Sequence, residues 1–248
     1  MAAMAVGSVG FSVHKASATV VYNDTFGTAT GTTRDLNGST PTIDSTGATW
    51  TSPAGDITTG NGAATVVTTT AAGQGYTAYL PLTLAANTIY TLSTTITPNT
   101  TAANPTDWLA AGFGTTGTAS TAPAYTNGEA WLLYRANGGT QSFYGGGANN
   151  GKNGGTAPGP QTFSVTLNTA TGAVAFGGLL AGNTGTLTPA EVAATNTVFI
   201  GQLATATGTF QNFNLSSAPA SAVPEPATLA IAGVGAAGLL LRRKRKLA

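Results

Sequence analysis

Cysteine is absent from this 248-residue chain, and the only histidine is His14. Without cysteine there is no disulfide, no thiol nucleophile and no thiolate metal ligand. A Ser-His-Asp triad or an imidazole metal site would have to use His14, which lies in a segment that we predict to be removed. These absences exclude thiol- and histidine-based catalysis from the rest of the chain.

Charge is also scarce, at 7% of the residues. Between residues 19 and 222 there are three basic and seven acidic residues, a net charge of −4, whereas the whole chain carries +1. The difference arises from a basic cluster at the C-terminus. A body with so few basic side chains has no electrostatic surface for nucleic acid.

The most distinctive pattern is near the C-terminus. Residues 223–226 read Val-Pro-Glu-Pro, residues 227–241 form an uncharged apolar run of fifteen, and residues 242–246 are all basic. As a helix the run would be about 22 Å long, short of the roughly 30 Å hydrocarbon core, but flanking Arg and Lys side chains can reach the headgroups. We predict one transmembrane helix over residues 227–241, with its basic end on the cytoplasmic side.

Together these elements resemble the PEP-CTERM sorting domain of Gram-negative envelope proteins, over about residues 222–246. The resemblance implies that an exosortase removes the tail, leaving a body that is released or surface-attached, often in bacteria that make exopolysaccharide. A permanent C-terminal anchor is the alternative interpretation. The residues implied are the sorting motif, Val223, Pro224, Glu225 and Pro226, and the basic stop cluster, Arg242, Arg243, Lys244, Arg245 and Lys246.

The N-terminus has features of a secretory signal peptide. Residues 1–13 are apolar and rich in small side chains, and Ala16-Ser17-Ala18 fits the A-x-A form of a signal-peptidase site. A basic n-region is missing, which a translation start further upstream would explain. We therefore predict a signal peptide over residues 1–18, with Ala16 and Ala18 at the cleavage site and a mature N-terminus at Thr19.

Between the two signals the sequence predicts strands. The chain contains 47 threonine and 34 glycine residues, which suit strands and turns respectively. We predict one β domain over residues 19–215, a helical turn over 188–194, a long loop over 145–160 and a linker over 216–222. Strands are predicted over residues 20–26, 64–70, 76–80, 88–97, 108–113, 130–135, 141–144, 163–167, 173–176, 197–202 and 210–215.

More than ten short strands indicate a sandwich or jelly roll. Four segments resemble the concanavalin A-like lectin/glucanase fold, as in LamG-like domains: residues 23–26, 90–96, 107–113 and 208–215. The resemblance covers most of residues 20–216 and implies that the first and last strands pair. We expect an all-β jelly-roll or concanavalin A-like sandwich, followed by the transmembrane helix.

The sequence contains no cluster of acidic residues that would predict glycoside hydrolysis. Glycosidases place two carboxylates on either side of one bond, and those of this fold set them close together on one strand. Here Asp107 and Glu129 each stand alone beside a tryptophan. Calcium could still bind through oxygen ligands, because Asp24, Asp35 and Asp44 are close enough in sequence to share a loop region, although their spacing matches no EF-hand. We predict no enzymatic activity and name no cofactor and no metal site.

Aromatic side chains are the remaining binding candidates, because sugars lie against aromatic faces. Such faces could come from Trp50, Trp108, Trp131, Tyr125, Tyr134 and Tyr144. Among these, Trp108 and Trp131 stand inside apolar strand patterns and are expected in the core. Tyr125 and Tyr144 flank glycine-rich loops and are the candidate glycan contacts. Asn149, Asn150 and Asn153 could add hydrogen bonds from the predicted loop.

The sequence thus predicts an exported, non-enzymatic protein of the cell surface or extracellular matrix. Its expected partners are the signal peptidase, the exosortase and the membrane, with polysaccharide as a further candidate. A carbohydrate-binding module is the alternative function, followed by a glycoside hydrolase.

Overall fold

Two antiparallel sheets make up the computed structural model, which describes residues 17–27, 33–67, 74–99, 106–116, 128–145, 151–157 and 159–220. The helix that we predict over residues 227–241 and all of the basic cluster lie outside these residues. Within the described part of the chain, no helix is both long and apolar enough to cross a membrane. The all-β sandwich that the sequence predicts is confirmed.

Within the described residues, the larger sheet has ten strands. They are β1 Thr19–Asp24, β2 Arg34–Asp35, β3 Ile43–Asp44, β4 Ile57–Gly60, β5 Ala63–Val66, β7 Thr88–Pro98, β12 Gln161–Asn168, β13 Ala173–Phe176, β14 Thr184–Thr186 and β16 Gly208–Pro219. Their order is β14-β13-β12-β7-β16-β5-β4-β2, and β1 pairs with both β16 and β3.

The smaller sheet has six strands in the described residues, ordered β11-β10-β9-β8-β15-β6. These strands are β6 Thr77–Pro81, β8 Trp108–Gly114, β9 Gly128–Arg135, β10 Gly139–Tyr144, β11 Lys152–Thr156 and β15 Thr197–Gln202. Below, the two layers are called the ten-stranded and the six-stranded sheet.

The main core lies between the sheets. Side chains alternate along a strand, so every second residue of β7 points inward, including Leu92 and Ile96. They belong to one buried cluster with Phe113 and Leu132 of the six-stranded sheet. Burying a large apolar side chain contributes roughly 1.5–3 kcal/mol, which makes this cluster the main stabilising element of a domain without disulfides.

The first and last strands pair, as the resemblance to lectin-like domains implies. Thr19 lies opposite Ser217 and Asp24 opposite Phe213, so β1 and the end of β16 run side by side. The predicted helical turn is also present, as α1, Pro189–Ala194. Its Thr188 side chain accepts from the Glu191 backbone N–H, and the Glu191 carboxylate accepts from the Thr188 N–H, forming a capping box.

The predicted loop and the predicted linker both contain strand residues in the structure. The predicted loop over residues 145–160 contains strand β11, which pairs with β10 although its sequence is Lys-Asn-Gly-Gly-Thr. The predicted linker begins at Ser216, but β16 continues to Pro219 and pairs with residues 88–91 of β7. Both segments have loop-like compositions, and the neighbouring strand supplies the backbone hydrogen bonds that hold them extended.

Candidate functional site

A groove of about 550 Å³ opens at one end of the sandwich. Three segments form it: the connection from β6 to β7, the hairpin turn between β12 and β13, and α1 with its flanks. Its residues are Leu82, Thr83, Leu84, Ala85, Ala86, Thr169, Ala170, Thr171, Gly172, Leu187, Pro189, Val192, Ala193, Thr195 and Asn196. None of them is ionisable, so the groove suits a neutral ligand with apolar and hydroxyl surfaces.

Hydrogen bonds tie the walls of the groove together. The Thr169 hydroxyl donates to the carbonyl of Ala85 at 2.8 Å and to that of Thr88 at 3.0 Å, which joins the hairpin turn to the β6–β7 connection. Leu82 donates its backbone N–H to the carbonyl of Asn196 at 2.7 Å, which joins the same connection to the segment after α1. One threonine hydroxyl and a backbone hydrogen bond therefore hold the walls of the groove together.

The chain leaves the domain beside this groove. Pro219, the last residue of β16, lies opposite Thr88, and the Ala220 backbone N–H donates to the carbonyl of Asn87 at 2.8 Å. Ala85 and Ala86, immediately before Asn87 in the chain, line the groove. The described body thus ends at the groove's rim, and the sorting motif follows within a few residues.

Glu129 and Glu191 are two acids that interact near this end. Glu129 occupies a bulge in β9, because Ala130 pairs with Phe113 whereas Gly128 pairs with Gly114. Its Oε2 is buried without a hydrogen-bond partner in the described residues. Burial, and then the charge of Glu191, raises the pKa of Glu129. The Glu191 carboxylate already accepts the Thr188 N–H in the capping box, which ties it to the start of α1.

The three aspartates considered for calcium are held apart by separate turns. Asp24 accepts from the Trp50 indole at 2.8 Å and from the Phe26 N–H at 2.7 Å. Asp35 accepts from Asn37 and Gly55, and Asp44 accepts twice from Thr46. No group of three His, Asp or Glu in the described residues could hold a metal ion. Burial raises the pKa of Asp24, and its hydrogen bonds oppose that shift.

Asp107 likewise has a structural partner. It is buried beside Trp108, and its Oδ2 accepts from the backbone N–H of Thr205 at 2.9 Å and from the Thr205 hydroxyl at 2.6 Å. The carboxylate therefore joins the start of β8 to the segment between β15 and β16.

All three tryptophans are buried. Trp50 packs against Phe26 and Phe213 in the main core. Trp108 and Trp131 belong to a second cluster of the six-stranded sheet, in which the Trp131 ring stacks on Phe143 at 4.2 Å. The expectation that Trp108 and Trp131 are core residues is confirmed. Tyr134 is also fully buried, and burial raises the pKa of its phenol.

Tyr144 is less free than the sequence suggests. Its ring covers Gly185, where an added methyl group would lie only 2.4 Å from the ring, and the Lys152 ammonium sits 5.8 Å from the ring centroid. Tyr144 thus joins the edges of the two sheets. Asn153 is exposed on β11, whereas Tyr125, Asn149, Asn150, Ala16 and the sorting motif lie outside the described residues.

Sequence reasoning did not find the groove. Its walls come from segments about a hundred residues apart, and most lining residues are Ala, Thr and Leu, which carry no pattern specific to binding. The only local signal was the Thr188-Pro-Ala-Glu191 sequence that starts α1.

Comparison with known proteins agrees with both the sorting tail and the sandwich. Residues 222–246 match the family model of the PEP-CTERM protein-sorting motif. The motif indicates an exported, envelope-associated protein and implies processing by an exosortase. No curated protein has a sequence that matches this chain.

The structural neighbours are concanavalin A-like lectin and glucanase sandwiches. Arcelin-5, a lectin-like defense protein from Phaseolus vulgaris, is 11% identical with a TM-score of 0.50, over 76% of this chain and 99% of its own. An endo-1,3-beta-glucanase from Streptomyces sioyaensis is 10% identical with a TM-score of 0.49, over 85% and 99%. The Emp47p carbohydrate recognition domain is 11% identical with a TM-score of 0.49, over 85% and 99%. At these identities the likeness concerns the fold alone.

Proposed function

We propose that this chain is a non-enzymatic protein of the cell surface or extracellular matrix, delivered there by removal of its C-terminal tail. The observation that carries the proposal is the match of residues 222–246 to the sorting motif, with the Val-Pro-Glu-Pro sequence, the apolar run and the basic cluster in order. The sandwich, which the structure describes as far as Ala220, is then the part that acts outside the cell.

The position of the motif supports processing. Only two residues separate Ala220, the last described residue, from Val223, so the motif follows the described end of β16 closely in sequence. A protease needs an extended segment that is free of the sheet ladder, and two prolines favour such a conformation because they cannot donate ladder hydrogen bonds.

The test is the mature C-terminus. In a host with an active exosortase, peptide mapping of the exported protein should find no peptide from residues 227–248, whereas an exosortase-deficient host should retain them. Pro224→Ala combined with Pro226→Ala should also retain the tail. Pro219→Ala, an equivalent change at an exposed position just before the motif, is the matched control and should leave processing intact. Retention of Leu247 and Ala248 despite active exosortase would refute the proposal.

A carbohydrate-binding role is the second candidate. The groove supports it, because its lining combines aliphatic surface with threonine hydroxyls and an amide and has no ionisable side chain. A glycan array with the processed protein tests this function. Ala193→Trp would fill the groove and should abolish the binding of a glycan that occupies it. Val67→Trp, at an exposed site near the opposite end, should leave that binding unchanged.

The same arrangement argues for binding rather than hydrolysis. Neither Glu129 nor Glu191 lines the groove, so a glycosidic bond held there would lack an acid and a base. We expect no reducing ends to appear when the processed protein is incubated with a polysaccharide panel. Activity that is lost in Glu129→Gln would instead favour the hydrolase.

A further inference from the structure

The tail's exit point constrains how the precursor can sit on a membrane. Ala220 is held against Asn87, and the same turn of chain is linked through Thr88 and Ala85 to Thr169. The exit and the groove therefore share one end of the sandwich. Thr19, the first residue of β1, lies opposite Ser217 at this end as well.

The tether to the apolar run is short. Six residues, 221–226, separate Ala220 from residue 227. Seven Cα–Cα steps span at most about 25 Å when fully extended. Strand β7 alone, with eleven residues, covers roughly 35 Å from this end to the other. An inserted tail therefore keeps the groove end within about 25 Å of the bilayer, whereas the Pro98 end can lie up to about 35 Å further away.

The chemistry of this end suits such a position. Its exposed residues on the groove side are small and mostly apolar, among them Ala85, Ala86, Ala170 and Ala193. The ionisable residue of α1 is Glu191, whose carboxylate is already hydrogen-bonded in the capping box. The groove lining itself brings no ionisable side chain to the lipid headgroups, which limits the cost of desolvating charge.

We propose that, while the tail is attached, the groove end of the sandwich lies on the bilayer surface and the membrane covers the groove. Removal of the tail then uncovers the groove, so that ligand access follows sorting. This inference rests on the proposed function, because it requires residues 227–241 to be inserted.

The absence of cysteine permits a direct test with single labels. Ala86→Cys places a fluorophore on the groove rim, and Val67→Cys, exposed beside the Gly208–Pro98 end, serves as the matched control. The full-length chain is reconstituted in phosphatidylcholine vesicles that contain a lipid with a nitroxide on its headgroup. The label at position 86 should lose most of its fluorescence, while the label at 67 should keep it.

Two further measurements separate the ways in which this could fail. If the full chain does not sediment with vesicles, both the inserted tail and this inference are wrong. If it sediments but the two labels are quenched equally, the inference alone is wrong. A flexible Gly/Ser insert of about twenty residues after residue 222 should restore much of the fluorescence at position 86, because a longer tether lowers the local concentration of the groove end at the bilayer.

Discussion

The two sheets differ in the face that each turns away from the main core. On the ten-stranded sheet this face carries pairs of threonine hydroxyls from β7 and β12. The hydroxyl oxygens of Thr95 and Thr162 are 2.8 Å apart, and those of Thr91 and Thr166 are 3.4 Å apart. On the six-stranded sheet it carries a buried cluster that consists of Trp108, Ala110, Trp131, Leu133, Phe143 and Phe199. One outer face is partly solvated and the other is a second core.

This difference has a counterpart in the strands themselves. β7 alternates between buried and half-buried residues, as expected of a sheet with one wet face. Every residue of β8 and of β15 is buried, as expected of strands covered on both faces. Outward residues should therefore matter little to stability on the ten-stranded sheet and greatly on the six-stranded sheet.

The largest effect is expected for Trp131→Ala. The substitution removes the stack with Phe143 at 4.2 Å and the contact with Trp108 at 5.5 Å, and it leaves a cavity in the second cluster. We expect the free energy of unfolding to fall by about 3–5 kcal/mol. Chemical denaturation of the processed protein measures this. A loss below about 1 kcal/mol, typical of a surface site, would show that this face is not a core.

Gly112→Ala should be the next most damaging. A methyl group at Gly112 would lie 2.4 Å from the Trp131 Cβ and 2.5 Å from the Ala130 carbonyl oxygen, so backbone must move. We expect a loss of about 1–3 kcal/mol in the same denaturation experiment. Gly155→Ala is the matched control, because its methyl group would meet Leu179 at 3.5 Å, an ordinary contact. Equal losses in both variants would contradict the close packing at Gly112.

Glu129→Gln should change how stability depends on pH. The pKa of Glu129 is raised in the folded state by burial and then by Glu191, so the folded protein binds this proton more tightly than the unfolded chain. The contribution of the group is fully present below its unfolded pKa and is lost as the pH rises through its folded pKa. The difference in free energy of unfolding between Glu129→Gln and wild type should therefore favour the variant more at pH 7 than at pH 4. A difference that is independent of pH would refute this.

The smallest effect is expected for Thr95→Val on the hydroxyl face. It removes the hydrogen bond to Thr162 but keeps the β-branched shape, and the site is half-buried. We expect a change within about 0.5 kcal/mol. Its comparison with Trp131→Ala gives the contrast between the two faces in one measurement. A loss as large as that of Trp131→Ala would mean that the hydroxyl rows, not only the cores, hold the sandwich together.

Most of the strands could be predicted because their patterns are local. Residues 88–97 alternate, residues 163–167 and 173–176 flank a glycine-ended turn, and both regions form strands and a hairpin in the structure. The short strands β2, β3, β4 and β14 were not predicted, since two to four residues carry no clear period. β11 was missed for a different reason: its Gly-Gly sequence favours a loop, and pairing with β10 overrides that preference.

The candidate functional residues also fall into those that the sequence predicts and those that only the structure reveals. A contiguous motif such as Val-Pro-Glu-Pro is visible in sequence because its recognition depends on neighbouring residues and composition. The role of Tyr144 was not visible, because the glycine that its ring covers, Gly185, lies on the other sheet. The isolation of Asp24, Asp35 and Asp44 also depends on separate tertiary contacts, above all the bond from Trp50 to Asp24.

By itself the sequence determined the sorting tail, the all-β class and the exclusion of cysteine chemistry, since each depends on composition or on residues adjacent in the chain. Only the tertiary structure decided which strands are buried on both faces, where the groove opens and that the tail leaves beside it. These features depend on contacts between segments about a hundred residues apart in sequence. Short-range patterns of polarity do not determine which distant segments come into contact.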